Sequence, residues 1–324
     1  MIPKPRRSID SLAVLNRKSC ELAFGLEDID WSFEADRTKP WAPEGFGPIC
    51  YLPGFALLDE AERLRCNQFQ ALSLCEQFIW LERHVIQPLT RVLEGQDVPQ
   101  PLREAMWHFI REEDKHIEMF WRVLERSEPD WYRSRIPRLF RVSPLQQFGI
   151  ERVVENPRLL VAWIWLTIFV EERTLYLARR YIETEKETPG RIDRLHTQLH
   201  QFHFRDEARH YQLDQHVLTW LYDPQPRWKK KLSAWMFHYM MRCYANPRHS
   251  ARAVLAQLAR EFPRLRKDIV PRLHAELAQV GRNEEFHRKH FSRSALPRTL
   301  ALLAEYPEHD RLWTLFITES KHPA

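Results

Sequence analysis

The chain has 324 residues, with 49 Lys and Arg against 44 Asp and Glu, a net charge of +5 and a pI near 9.0. The basic excess is mild and scattered, densest from Arg227 to Lys231; it reads as a solvated helix start and argues against a nucleic-acid partner. Only 8 glycines and long Ala-, Leu-, Glu-, Arg- and Gln-rich stretches broken by 22 prolines exclude a strand-and-turn series and predict an all-α fold. Five cysteines (Cys20, Cys50, Cys66, Cys75 and Cys243), widely spaced and without a CxxC, suit a reducing cytoplasm rather than a disulfide framework. The opening MIPKPRRSID offers no apolar signal segment. The longest apolar run, Leu159 to Val170, is shorter than the roughly 20 residues a membrane span needs, so no membrane partner is expected.

In chain order, residues 1–58 carry Trp31, Trp41 and a Pro- and Gly-rich stretch, and predict an extended, mostly irregular arm packed on the rest. Helix one is expected from about Asp59 to Ile86, and helix two from about Pro101 to Arg126. A Pro- and Trp-containing crossover follows over 128–155. Helix three should run from about Pro157 to Glu185 and helix four from about Arg191 to Leu221. The four helices make a bundle over 59–222. Residues 223–324 read as accessory C-terminal helices of the same domain, packing outside the bundle or mediating a homodimer.

The chemistry lies in a duplicated motif. Glu113-x-x-His116 on helix two recurs as Glu207-x-x-His210 on helix four, at a constant offset of 94 positions. The likeness spreads beyond it: Arg111 to His116 reads REEDKH and Arg205 to His210 reads RDEARH. Residues i and i+3 share one face of a helix, so each Glu and His point inward together. A single such pair is weak evidence; two copies, each preceded by a buried-looking glutamate, are specific. Aligning Cys75-Glu76 with Glu171-Glu172 selects Glu76 and Glu172 as those glutamates, over Glu82 and Glu171. Both sit in apolar surroundings, where an uncompensated carboxylate is costly. One Glu from each of two helices plus Glu-x-x-His from each of the other two is the ligand set of a carboxylate-bridged dimetal site. Hard carboxylates and imidazoles without thiolate suit iron, with manganese as a substitute.

Two further features refine the site. Glu112 and Asp206 each precede a motif glutamate, about 100° off the ligand face. They are placed to accept the free N–H of a ligating histidine from the opposite motif, or otherwise to pair with Arg111 and Arg205 at the surface. His203 lies four residues before Glu207 on the ligand face, whereas its neighbours His196 and His200 have no assigned role.

The pattern His203-x-x-x-Glu207-x-x-His210, with Glu76, Glu113, His116 and Glu172, resembles the p-aminobenzoate N-oxygenase (AurF-type) family of diiron enzymes in the ferritin-like superfamily. Pro40-Trp41-Ala-Pro ahead of helix one resembles it too. The similarity is concentrated over residues 60–220. It implies a three-His, four-carboxylate pair of iron ions completed by His203. It also implies an enzyme that uses O2 and an external electron donor or reductase to take a small-molecule amine to hydroxylamine, nitroso or nitro. A C–H hydroxylase or desaturase usually lacks the His203 equivalent, and a non-catalytic ferritin-like iron protein is usually shorter.

Overall fold

The computed structural model describes residues 9–95 and 97–315; parts of the expected arm and accessory segment, at 1–8 and 316–324, lie outside them. Twelve α-helices and no strand occur among the described residues. The fold is the expected all-α, ferritin-like bundle. Four long helices form its core: α2 (Glu60–Leu93), α3 (Gln100–Ser127), α6 (Ala162–Glu187) and α7 (Arg194–Val217). Short connections pair α2 with α3 and α6 with α7, and α3 packs on α7 to join the two hairpins.

Local chemistry sets the helix ends. Asp59 caps α2, accepting from the Glu62 amide while the Glu62 carboxylate accepts from the Asp59 amide. Asp193 caps α7 through the His196 amide and also accepts from the Asp36 amide of the arm. Helix α2 runs through Pro88 to Leu93, past the expected stop at Ile86. A helix-interior proline costs about 3 kcal/mol. Val85, Leu89, Val92 and Leu93 are all buried around it, and each is worth about 1.5–3 kcal/mol.

The arm is more ordered than its composition predicts. It begins with α1 (Ile9–Glu21), which lays Leu12 and Leu15 against α3 and α7. Farther on, Trp41 is fully buried and stacks on His196 at 4.8 Å between ring centroids. The Asn67 carboxamide oxygen accepts from the Trp41 and Ala42 amides, pinning the arm to α2. The crossover holds two helices, α4 (Pro129–Tyr132) and α5 (Pro144–Glu155). After the bundle come α8 (Arg227–Tyr244), α9 (Arg248–Glu261), α10 (Ile269–Glu276), α11 (Glu284–His290) and α12 (Pro297–Leu303). Helix α9 covers α2, while α8 and α12 cover α6. No helix among the described residues is long and apolar enough to cross a membrane, and the five cysteines are free.

One buried group makes the packing sensitive to pH. His309 sits against Trp165 at 4.3 Å between centroids, and burial lowers its pKa to about 4. The folded pKa is below the unfolded value near 6.5, so the unfolded chain binds more protons between the two. The stability His309 allows is therefore intact above pH 6.5 and drains away as pH falls toward 4, by roughly 3 kcal/mol in all. Urea unfolding of wild type and His309→Leu at pH 7 and pH 5 should show a steeper acid loss in the wild type. Parallel losses would acquit His309.

Candidate metal centre

The four core helices bring seven side chains to one buried point. Helix α2 contributes Glu82, α3 Glu113 and His116, α6 Glu171, and α7 His203, Glu207 and His210; none is more than 6% exposed. Donor atoms of Glu113, His116, Glu207 and His210 lie within 4.8 Å of one another, as do those of Glu82, His116 and His203. The Glu207 carboxylate is the hub. One of its oxygens lies 2.7 Å from His203 Nε2, 3.5 Å from His116 Nδ1 and 3.6 Å from His210 Nδ1. His210 Nδ1 is also 2.8 Å from Glu113 and 3.6 Å from Glu171, and His203 Nε2 is 3.3 Å from Glu82.

The polarity of this point needs a cation. Both oxygens of Glu82 and of Glu113, one each of Glu171 and Glu207, and Nδ1 of His116 and His210 are buried and, among the described residues, have no hydrogen-bond partner outside the cluster. Orphaned buried polar atoms are rare in native proteins, and each costs about 1–3 kcal/mol. Burial, then the charges of neighbouring carboxylates, pushes the Glu82 and Glu171 carboxyls well above the usual range. Burial lowers the His116 pKa, but the Asp206 hydrogen bond and the Glu113 and Glu207 charges outweigh it and hold the imidazole at about 9. Four carboxylates and three imidazoles in one dry pocket thus either retain protons or exchange them for metal ions. The donor set fits hard, imidazole-tolerant divalent metals.

Glu76 and Glu172, the glutamates selected by the sequence repeat, are not brought to this point. Glu76 accepts from the Tyr132 hydroxyl at 2.6 Å and from the amides of Arg138, Leu139 and Phe140 at 2.6–2.8 Å. Glu172 accepts from the amides of Arg298 and Thr299, at 2.8 and 2.6 Å, in the first turn of α12. Both are anchors for incoming chain. Their places at the centre are taken by Glu82 and Glu171, the two residues the repeat had set aside. The remaining five residues, Glu113, His116, His203, Glu207 and His210, converge as the spacing predicts.

A second layer of charge orients the imidazoles. Asp206 Oδ2 lies 3.0 Å from His116 Nε2, and Glu112 Oε2 lies 2.8 Å from His210 Nε2. Each carboxylate thus meets the histidine of the opposite motif. Arg209 bridges Asp206 and Glu112, and Lys115 donates to Asp206 at 2.6 Å. With Nε2–H so engaged, both imidazoles turn Nδ1 to the centre. Sequence reasoning missed Arg209 and Lys115, although both lie inside the repeated motifs. It also missed Asp214, a buried carboxyl one turn beyond His210 that burial keeps well above the usual pKa range. His196 pairs with Asp193 at 2.7 Å, and His200 stacks on Tyr181 at 4.0 Å between centroids; neither reaches the cluster.

Fold and site together define a ferritin-like protein built around a buried carboxylate–histidine centre. The chain belongs to the p-aminobenzoate N-oxygenase AurF family, whose sequence model matches residues 7–305. It is accordingly an oxidoreductase, a diiron-type N-oxygenase acting with O2 on a small-molecule amine. No curated protein matches the chain.

Proposed function

We propose that Glu82, Glu113, His116, Glu171, His203, Glu207 and His210 bind two iron ions, and that the protein oxidises the nitrogen of an amine beside them. The observation that carries this reading is the set of inward-facing carboxylate and imidazole atoms that, among the described residues, find no partner outside the cluster. Such a metal pair supplies dioxygen activation and electron transfer that no side chain can provide. The protein's share is positional. Glu112 and Asp206 hold the tautomers of His210 and His116, so that a lone pair rather than a proton faces the centre. His203 presents Nε2 toward Glu207 and Glu82, adding a third nitrogen donor. Phe78 and Phe120, 5.3 and 4.9 Å from the His203 ring between centroids, help exclude water.

Retaining one atom of O2 on the amine and reducing the other to water consumes two electrons and two protons. We therefore include an external electron donor or reductase. The unpaired cysteines support a reducing, cytoplasmic setting. A homodimer is supported by α8, where Trp228, Leu232, Trp235 and Tyr239 form an exposed apolar stripe at helical spacing. The test is to reduce the iron-loaded chain anaerobically, admit 18O-labelled dioxygen with a panel of amines, and weigh the products. Label on nitrogen is the expected result; label on carbon defeats the reading.

The outer carboxylates give a second test. Asp206→Ala or Glu112→Ala should leave the helical content intact and weaken iron affinity by roughly 10–100-fold. Unchanged iron affinity in both variants would reduce them to buried ion pairs with Arg209.

A further inference from the structure

The two copies of the motif differ at the position before the histidine: Lys115 stands where the second copy has Arg209. The difference decides what each cation can reach. Arg209 has a forked head and takes Asp206 and Glu112 together. Lys115 ends in a single ammonium and takes one carboxylate, Asp206, at 2.6 Å. The two outer carboxylates are therefore loaded unequally. Asp206 meets a cation on each oxygen, Lys115 on Oδ2 and Arg209 on Oδ1, and Oδ2 also serves His116. Among the described residues, Glu112 pairs with Arg209 alone beside His210.

Lys115 is pinned in place. Its side chain is 14% exposed. An ammonium has three N–H bonds to satisfy. Asp206 accepts from it, the Phe24 carbonyl accepts at 3.3 Å, and the Phe24 ring faces the charge with its centroid 3.3 Å away. Phe24 is buried and belongs to the arm, just past α1. The arm thus keeps on Asp206 a charge that in an exposed lysine would be hydrated and free to move.

The charge matters because of what Asp206 does. A carboxylate that accepts the outer N–H of a ligating imidazole pulls on that proton and makes the ring a stronger donor through its other nitrogen. Two cations on the carboxylate weaken that pull more than one does. His116 is therefore the weaker donor through Nδ1, and His210 the stronger. The same side of the centre carries the extra imidazole, because the His203 ring lies 4.4 Å from that of His116 between centroids. Weaker and uncharged donors favour the reduced metal, so both features act in one direction.

We propose that Lys115 is a positioning residue that makes the two metal positions unequal, leaving the one served by His116 the first to accept an electron from the external donor. This role rests on the metal assignment above and goes beyond it.

The two one-electron reduction steps of the iron-loaded full chain, followed by spectroelectrochemistry with Mössbauer spectra, provide the test. Lys115→Met and Lys115→Gln should each make the first step less favourable by at least tenfold, about 59 mV for one electron, and move the second by less. Lys115→Arg keeps the charge and should stay near wild type. The Gln variant can still donate a hydrogen bond to Asp206, so it reports on charge even if Lys115→Met does not fold. With two irons bound in wild type, an unmoved first step in a folded neutral variant, equal shifts of both steps, or a Lys115→Arg shifted as far as Lys115→Gln would each overturn the proposal alone. Fewer than two irons in wild type would defeat the metal assignment and the proposal with it.

Discussion

Glu82→Ala and Glu171→Ala are expected to bind fewer than two irons per chain, whereas Glu76→Ala and Glu172→Ala keep both. The contrast follows from where each carboxylate points. Both oxygens of Glu82 and one of Glu171 face the centre with no partner outside the cluster among the described residues. Glu76 and Glu172 are saturated by backbone amides. Stability should move the opposite way. Removing Glu76 strands three backbone N–H groups and the Tyr132 hydroxyl; at about 1–3 kcal/mol each, with partial relaxation, the loss should reach roughly 3–5 kcal/mol. Glu82→Ala instead removes a buried carboxyl with no partner outside the cluster among the described residues and should be neutral or stabilising in the metal-free chain. Iron quantitation and urea unfolding on the four variants settle the matter. Iron lost from Glu76→Ala and retained by Glu82→Ala would reverse our assignment.

The second large effect is expected at His203. His203→Ala should keep the bundle yet lose amine oxidation by 100-fold or more. His200→Leu is the control one turn away: among the described residues His200 has no hydrogen-bond partner for either ring nitrogen, and it lies flat on Tyr181. Its turnover should stay within about threefold of wild type. Added imidazole should restore part of the lost activity to His203→Ala and none to a variant with a different defect. Equal losses at 203 and 200 would show that packing, rather than a nitrogen donor, is what this part of α7 provides.

Much of this centre was readable in sequence because α3 and α7 carry two chemical markers per turn. Glu and His at i and i+3 fix the inward face without help from any other residue, so four of the seven clustered side chains followed directly, and His203 followed from the family resemblance. The carboxylates of α2 and α6 carry no such second marker. Their phase would normally come from amphipathicity, but residues 162–175 of α6 are buried almost without interruption, and α2 is covered by α3, α5 and α9. A helix buried all round has no polar face to orient it. Level along the bundle does not help either. Counting back through the α2–α3 turn at 1.5 Å per residue, the position facing Glu113 and His116 falls near about residue 78, between Glu76 and Glu82. The repeat broke the tie toward Glu76, and it reported a true equivalence of another kind. Glu76 and Glu172 do matching work, each gripping the backbone of a segment that arrives from elsewhere in the chain. Helix α1 was illegible for a simpler reason: its apolar positions gain their partner only once α3 and α7 are already side by side.

That grip makes α12 a keystone of the bundle. Glu171 and Glu172 are consecutive, one turned to the centre and the other clamped to the first amides of a helix 126 positions later in the chain. A shortened protein ending at Val217 would hold all seven donors and still leave Glu172 with nothing to grip, one residue from the centre. The family likeness ends at residue 305, just past α12, and not at the end of the fourth core helix. A minimal four-helix copy that kept Glu172 would therefore need a substitute for that clamp.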